Sequence, residues 1–148
     1  MIAAVEEALL LIGKAAKADD IESWFIAVRD PDSNERHCRI HGNMEEGFAV
    51  ANLALSGNAG AALDPKECPN IVAALFKDLA KAGVTTWFFS CRMPSGIGKG
   101  VLRMSFAAPD RPEEAIGLGI VCLHMMISGM LSGGVRFSNN PNLDGNQL

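Results

Sequence analysis

The sequence predicts an α+β domain made by tandem duplication of one helix–strand–strand–helix unit, with a four-stranded, mainly antiparallel sheet covered by helices. Three observations predict it. The first is an internal match: Ser23-Trp24-Phe25-Ile26-Ala27-Val28-Arg29-Asp30-Pro31 lies over Thr86-Trp87-Phe88-Phe89-Ser90-Cys91-Arg92-Met93-Pro94, with Trp, Phe, Arg and Pro in place. The second is collinearity. Ala16-Lys17-Ala18 lies over Ala80-Lys81-Ala82 with a one-residue slip, Arg39-Ile40 over Arg103-Met104, and Met44-Glu45-Glu46 over Pro112-Glu113-Glu114. The third is the apolar period, which changes from helical to alternating and back twice.

In the first unit (2–57), Val5, Ala8, Leu9, Ile12 and Ala16 form the apolar stripe of a helix from Ile2 to Lys17, ended by Asp19-Asp20. Glu22 to Asp30 reads as a strand, with Trp24, Ile26 and Val28 on one face and Phe25 and Ala27 on the other. Pro31-Asp32-Ser33-Asn34 has turn chemistry, and Arg36 to His41 returns as the second strand of a hairpin. Asn43 caps a helix from Met44 to Ser56, with Glu45 and Glu46 where acids suit the helix dipole.

Residues 58–69 read as a small-residue linker. In the second unit (70–132), Ile71, Leu75, Phe76 and Leu79 stripe a helix that stops at Gly83, followed by a strand from Val84 to Arg92. A glycine-rich hairpin loop, residues 94–100, leads to a strand from Val101 to Ala107. Asp110 and Pro112 start a helix that reaches Leu131, and residues 133–148 read as a loose tail. All of this belongs to a single domain, 1–148. Both strand faces carry large apolar groups, so helices must cover both faces of the sheet.

A 148-residue chain with 49% hydrophobic residues buries a core without staples. Its net charge of −4 and lack of a basic cluster argue against nucleic acid and anionic membrane as partners. Residues 115–135 are nearly all apolar, but three polar residues and five glycines favour a buried helix over a membrane span. Four dispersed cysteines with no C-x-x-C pair, and an N-terminus lacking a basic n-region, predict a cytoplasmic protein with reduced thiols.

Candidate chemistry is sparse. Ser95-Gly96-Ile97-Gly98-Lys99-Gly100 lacks the hydroxyl residue of a P-loop and precedes a strand, so Lys99 is at most an anion-binding loop residue. His37, Cys38 and His41 offer metal-ligand types, but His37 and His41 would stand about 13 Å apart on a strand, and no metal is expected. Cys91 is the weak candidate for a catalytic nucleophile, aligned with Val28 and expected to be buried. No cofactor motif is present. The arginines that recur in both units, Arg29 with Arg92 and Arg39 with Arg103, are expected to converge at one end of the sheet as an anion site. His124 lies in the apolar last helix, whose Met125, Met126 and Met130 are expected to form a homodimer interface. The expected function is therefore a small interaction or regulatory protein that binds a protein partner without catalysis. The alternative is a small-molecule or anion-binding domain, with or without enzymatic activity, whose site lies between the two units.

Overall fold

Helix, strand, strand, helix recurs twice in the computed structural model, which describes residues 2–58, 61–93 and 102–131. The elements in order are α1 (Ile2–Ala18), β1 (Trp24–Arg29), β2 (Arg36–His41), α2 (Met44–Leu53), β3 (Ala61–Ala62), α3 (residues 69–81), β4 (Trp87–Arg92), β5 (Leu102–Ala107) and α4 (Pro112–Leu131). A π-type turn, Ala54–Asn58, prolongs α2, and Ala74–Asp78 within α3 is wound the same way. The hairpin loop with Lys99 and the tail 133–148 lie outside the described residues.

The strand order is β2-β1-β4-β5-β3. The four long strands are antiparallel to their neighbours, as expected. The two-residue β3 adds to the edge in parallel, with Ala61 beside Arg103. It falls inside the expected linker 58–69, where two alanines give no alternation to read. The tight β1–β2 turn is held by Asp30, whose Oδ1 accepts the amides of Asp32 (2.8 Å) and Ser33 (3.3 Å). The Asp32 N–H foremost, with that of Ser33, holds the Asp30 carboxyl below the usual carboxylate range.

Alternation sends Trp24, Ile26, Val28, Trp87, Phe89 and Cys91 into one core with α1 and α3. Phe25, Ala27 and Phe88 enter a second core with α2 and α4. The sheet is thus covered on both faces.

The two halves correspond in detail. A shift of 63 residues carries Trp24 onto Trp87, and under it the β1–β4 pairing maps onto itself. Trp24↔Cys91 exchanges with Val28↔Trp87, and Ile26↔Phe89 is its own image. The flanking hydrogen bonds are reciprocal: Arg29 N donates to Thr86 O (3.1 Å) and Arg92 N to Ser23 O (3.4 Å). The same shift takes the buried Val5, Ala8, Ile12 and Ala16 of α1 onto the buried Cys68, Ile71, Leu75 and Leu79. No one-residue slip separates α1 from α3.

Both helices also end alike. Ile21 N donates to Ala16 O (2.9 Å) and Asp20 N to Lys17 O (3.1 Å); Val84 N donates to Leu79 O (3.0 Å) and Gly83 N to Ala80 O (3.0 Å). This double closure puts the penultimate residue in the left-handed region, where Gly83 has φ +81° and Asp20 φ +58°. A Cβ is disfavoured there. Asp20→Gly should therefore raise the unfolding free energy by about 0.5–1 kcal/mol, read as a higher denaturant midpoint at unchanged m.

Candidate functional site

The antiparallel central pair decides where the repeated arginines go. Arg29 and Arg92 end strands that run in opposite directions, so they stand at opposite ends of the sheet. Arg39 lies on β2 opposite Ile26, and Arg103 on β5 opposite Cys91, with β1 and β4 between them. The expected convergence does not occur. Nor are Arg39 and Arg103 equivalent: the partner of Phe89, the counterpart of Ile26, is Ser105.

Each arginine instead meets a glutamate. Arg29 pairs with Glu114 (3.5 Å), Arg92 with Glu46 (3.4 Å), Arg39 with Glu6 (2.7 Å) and Arg103 with Glu67 (2.9 Å). The first two pairs are reciprocal across the halves, since Glu46 and Glu114 occupy matching places in the first turns of α2 and α4. Such half-exposed pairs contribute about 0–1 kcal/mol each.

Cys91 is fully buried between Trp24 and Arg103 in the sheet. Burial pushes its thiol up to about 12, so it is protonated near neutral pH and not poised as a nucleophile. Cys38 and Cys122 share a thiol–thiol hydrogen bond between β2 and α4, which lowers the Cys38 pKa and raises that of Cys122. His37 sits between Glu6 (3.9 Å) and Glu35 (4.0 Å).

On α4, Met126 is not at the surface. It packs in the second core with Leu118, Cys122 and Leu123, because those positions share one helical face. Met125 is 52% exposed and His124 is exposed. The Met130 side chain lies outside the described residues.

A cleft beside Trp24 brings chemistry-bearing side chains together. It has a volume of about 450 Å³ and opens between the C-terminal half of α1 and the end of β2. Trp24, Ile21 and Gly13 form its inner wall; Lys17, Asp20, Glu22 and His41 bring its polar groups. His41 is the last residue of β2, opposite Trp24, and its ring stacks on the indole at 5.5 Å and 26°. Its Nδ1 is buried and has no hydrogen-bond partner among the described residues. Desolvation pushes the His41 pKa down, which favours the neutral ring at pH 7. Gly42 allows this placement: its φ is +100°, and a Cβ there would overlap the Glu22 carbonyl oxygen. Among the described residues, Lys17, Asp20 and Glu22 have no ion-pair partner.

Of the residues weighed for chemistry from the sequence, only His41 lines this cleft. Lys17 and Asp20 end a helix and Glu22 precedes a strand, positions that look like ordinary solvated charge. The available signal was Gly13, which falls opposite Phe76 once the two halves are aligned without a slip.

Comparison of the chain with protein-family models, curated proteins and solved structures found no match. Among the described residues, no helix is long and apolar enough to cross a membrane.

Proposed function

We propose that this protein is a small, non-catalytic interaction protein of the cytoplasm, which assembles as a homodimer and binds a protein partner. The observation that carries this reading is the outer face of α4. Ile120, Val121 and Met125 are 39%, 39% and 52% exposed on the side of α4 turned away from the buried Ala115, Leu118, Cys122 and Met126. A groove of about 220 Å³, lined by Leu55, Ile120, Leu123 and His124, continues this face toward the end of α2. Contiguous apolar surface of this kind marks association sites in water-soluble proteins. The four unpaired cysteines agree with a reducing compartment. We further infer that the halves arose from one duplicated unit, supported by the self-mapping strand register, the matching helix ends and the reciprocal Arg–Glu pairs.

The test is sedimentation equilibrium on wild type and on Met125→Asp combined with Val121→Asp. A wild-type dimer that the double variant converts to a monomer of unchanged far-UV CD is expected. A wild-type chain that stays monomeric at its highest soluble concentration would refute the dimer.

A second reading, a small-molecule site, is favoured by one observation: the cleft beside Trp24 gathers Lys17, Asp20 and Glu22, which have no ion-pair partner among the described residues.

A further inference from the structure

Two thiols meet where α4 crosses the edge of the sheet. β2 is the outermost strand on that side, with β1 as its neighbour. Alternation along β2 sends His37, Arg39 and His41 to one face and Cys38, opposite Ala27, to the other, toward α2 and α4. There Cys38 packs on the second core, in which Cys122 of α4 is fully buried, and the two sulfurs share a hydrogen bond. The fold does not need thiols at this contact. In the other half, Met104 stands opposite Ser90 as Cys38 stands opposite Ala27. Ala54, eight residues after Glu46, matches Cys122, eight residues after Glu114, and both are buried in the same core.

The four cysteines are not alike. Cys68, Cys91 and Cys122 are buried, and Cys68 Sγ donates to the Asp64 carbonyl oxygen at 3.2 Å. Cys38 alone is partly exposed. Desolvation, foremost, pushes the Cys68 thiol up to about 11 and that of Cys91 up to about 12. The hydrogen bond from Cys122, foremost, holds the Cys38 thiol below its ordinary value against the cost of burial, with help from the Arg39 charge. Thiolate character therefore gathers on the less buried residue of the pair. An accessible thiolate beside a second thiol is the arrangement that peroxides oxidise most readily.

We propose that Cys38 and Cys122 are an oxidation site, which hydrogen peroxide converts reversibly to a disulfide that fastens α4 to the edge strand β2. The proposal goes beyond the interaction reading and is independent of the dimer. In the first step the Cys38 thiolate sulfur attacks a peroxide oxygen. An S–O bond forms and the O–O bond breaks, and the departing hydroxide takes up the proton that Cys38 had released, giving water. Cys38 is now a sulfenic acid. In the second step the Cys122 sulfur attacks the Cys38 sulfur. The S–S bond forms as the S–O bond breaks, and the hydroxyl leaves with the Cys122 proton as a second water. The two sulfurs give up two electrons, and the peroxide accepts them. A disulfide needs an S–S distance of about 2.05 Å, which sulfurs already in contact reach by side-chain rotation. A small dithiol reverses the bond by thiol–disulfide exchange. Transient disulfides of this kind are the ones that a reducing compartment permits.

The experiment exposes the reduced full chain to a small excess of hydrogen peroxide. Free thiols are counted in denaturant, and intact mass and unreduced peptide maps are recorded. The four free thiols should fall to two, with the mass lowered by two hydrogens and Cys38 joined to Cys122 within one chain. Dithiothreitol should restore all four. Cys122→Ala installs the residue found at the matching place in the other half, and it should leave a Cys38 sulfenic acid that dimedone captures. Cys38→Ala should slow thiol oxidation at least about tenfold, because the thiols that remain are buried and protonated. The proposal is overturned if wild type keeps its four thiols, or if dithiothreitol does not restore them. It is equally overturned if the link joins two chains or uses Cys68 or Cys91, or if a folded Cys38→Ala protein oxidises as fast as wild type. The wild-type map decides the matter even where a variant fails to fold. The sedimentation result bears only on the dimer, so the two readings can fail separately.

Discussion

Phe88→Ala should lower the unfolding free energy by about 3–5 kcal/mol, a large part of what a domain of this size has. Phe88 is fully buried on the α2/α4 side of β4, at the centre of the sheet. Its ring lies 6.3 Å from that of Phe25 on the neighbouring strand. Gly119 brings α4 so close that a Cβ there would stand 3.1 Å from the Phe88 ring. Truncation leaves a cavity that neither the sheet nor a helix seated this closely can collapse to fill. The melting temperature should fall by roughly 10 °C, with near-UV CD lost early in a urea titration. A cost below about 1 kcal/mol would mean that α4 does not pack on this face as described.

Gly42→Val is the second large effect, about 3 kcal/mol, and it also bears on function. Two costs coincide at this position. A β-branched residue is forced to a positive φ, and its Cβ overlaps backbone, the Glu22 carbonyl, which cannot rotate away as a side-chain tip would. Relief requires β2 to part from the start of β1, which displaces His41 from Trp24. A urea midpoint near that of wild type would show that this turn yields more easily than its geometry implies. If the protein stays folded, its Trp24 indole N–H signal should still move, because the imidazole stacked on it has shifted.

Much of the fold was legible because it rests on short-range patterns. The buried positions of α1 are the stripe of Val5, Ala8, Leu9, Ile12 and Ala16, and β2 runs from Arg36 to His41 as its pattern indicates. Apolar residues on both faces of β1 and β4 required a covered sheet, and both faces are covered. The site was less legible. The arginines were recognisable as a repeated pair, but a strand end does not say which end of the sheet it becomes. The assumed slip between the units also hid Gly13 opposite Phe76, because the identical Ala-Lys-Ala tripeptides align one residue away from the positions that are buried alike. Met125 and Met126 are adjacent in sequence, and only the rotation of α4 on the sheet separates the exposed one from the buried one.

The sequence by itself determined the unit: helix, two strands and helix, present twice, with two tryptophans at matching places. Periodicity and turn chemistry act over a few residues, and they survive without knowledge of partners. The tertiary structure alone decided that the two units meet through antiparallel β1 and β4. That pairing sends Arg29 and Arg92 to opposite ends of the sheet, so each meets a glutamate instead of its counterpart. It also gives the two buried tryptophans different neighbours, His41 on Trp24 and Phe76 on Trp87, because what lies over an aromatic ring is set by packing across the fold.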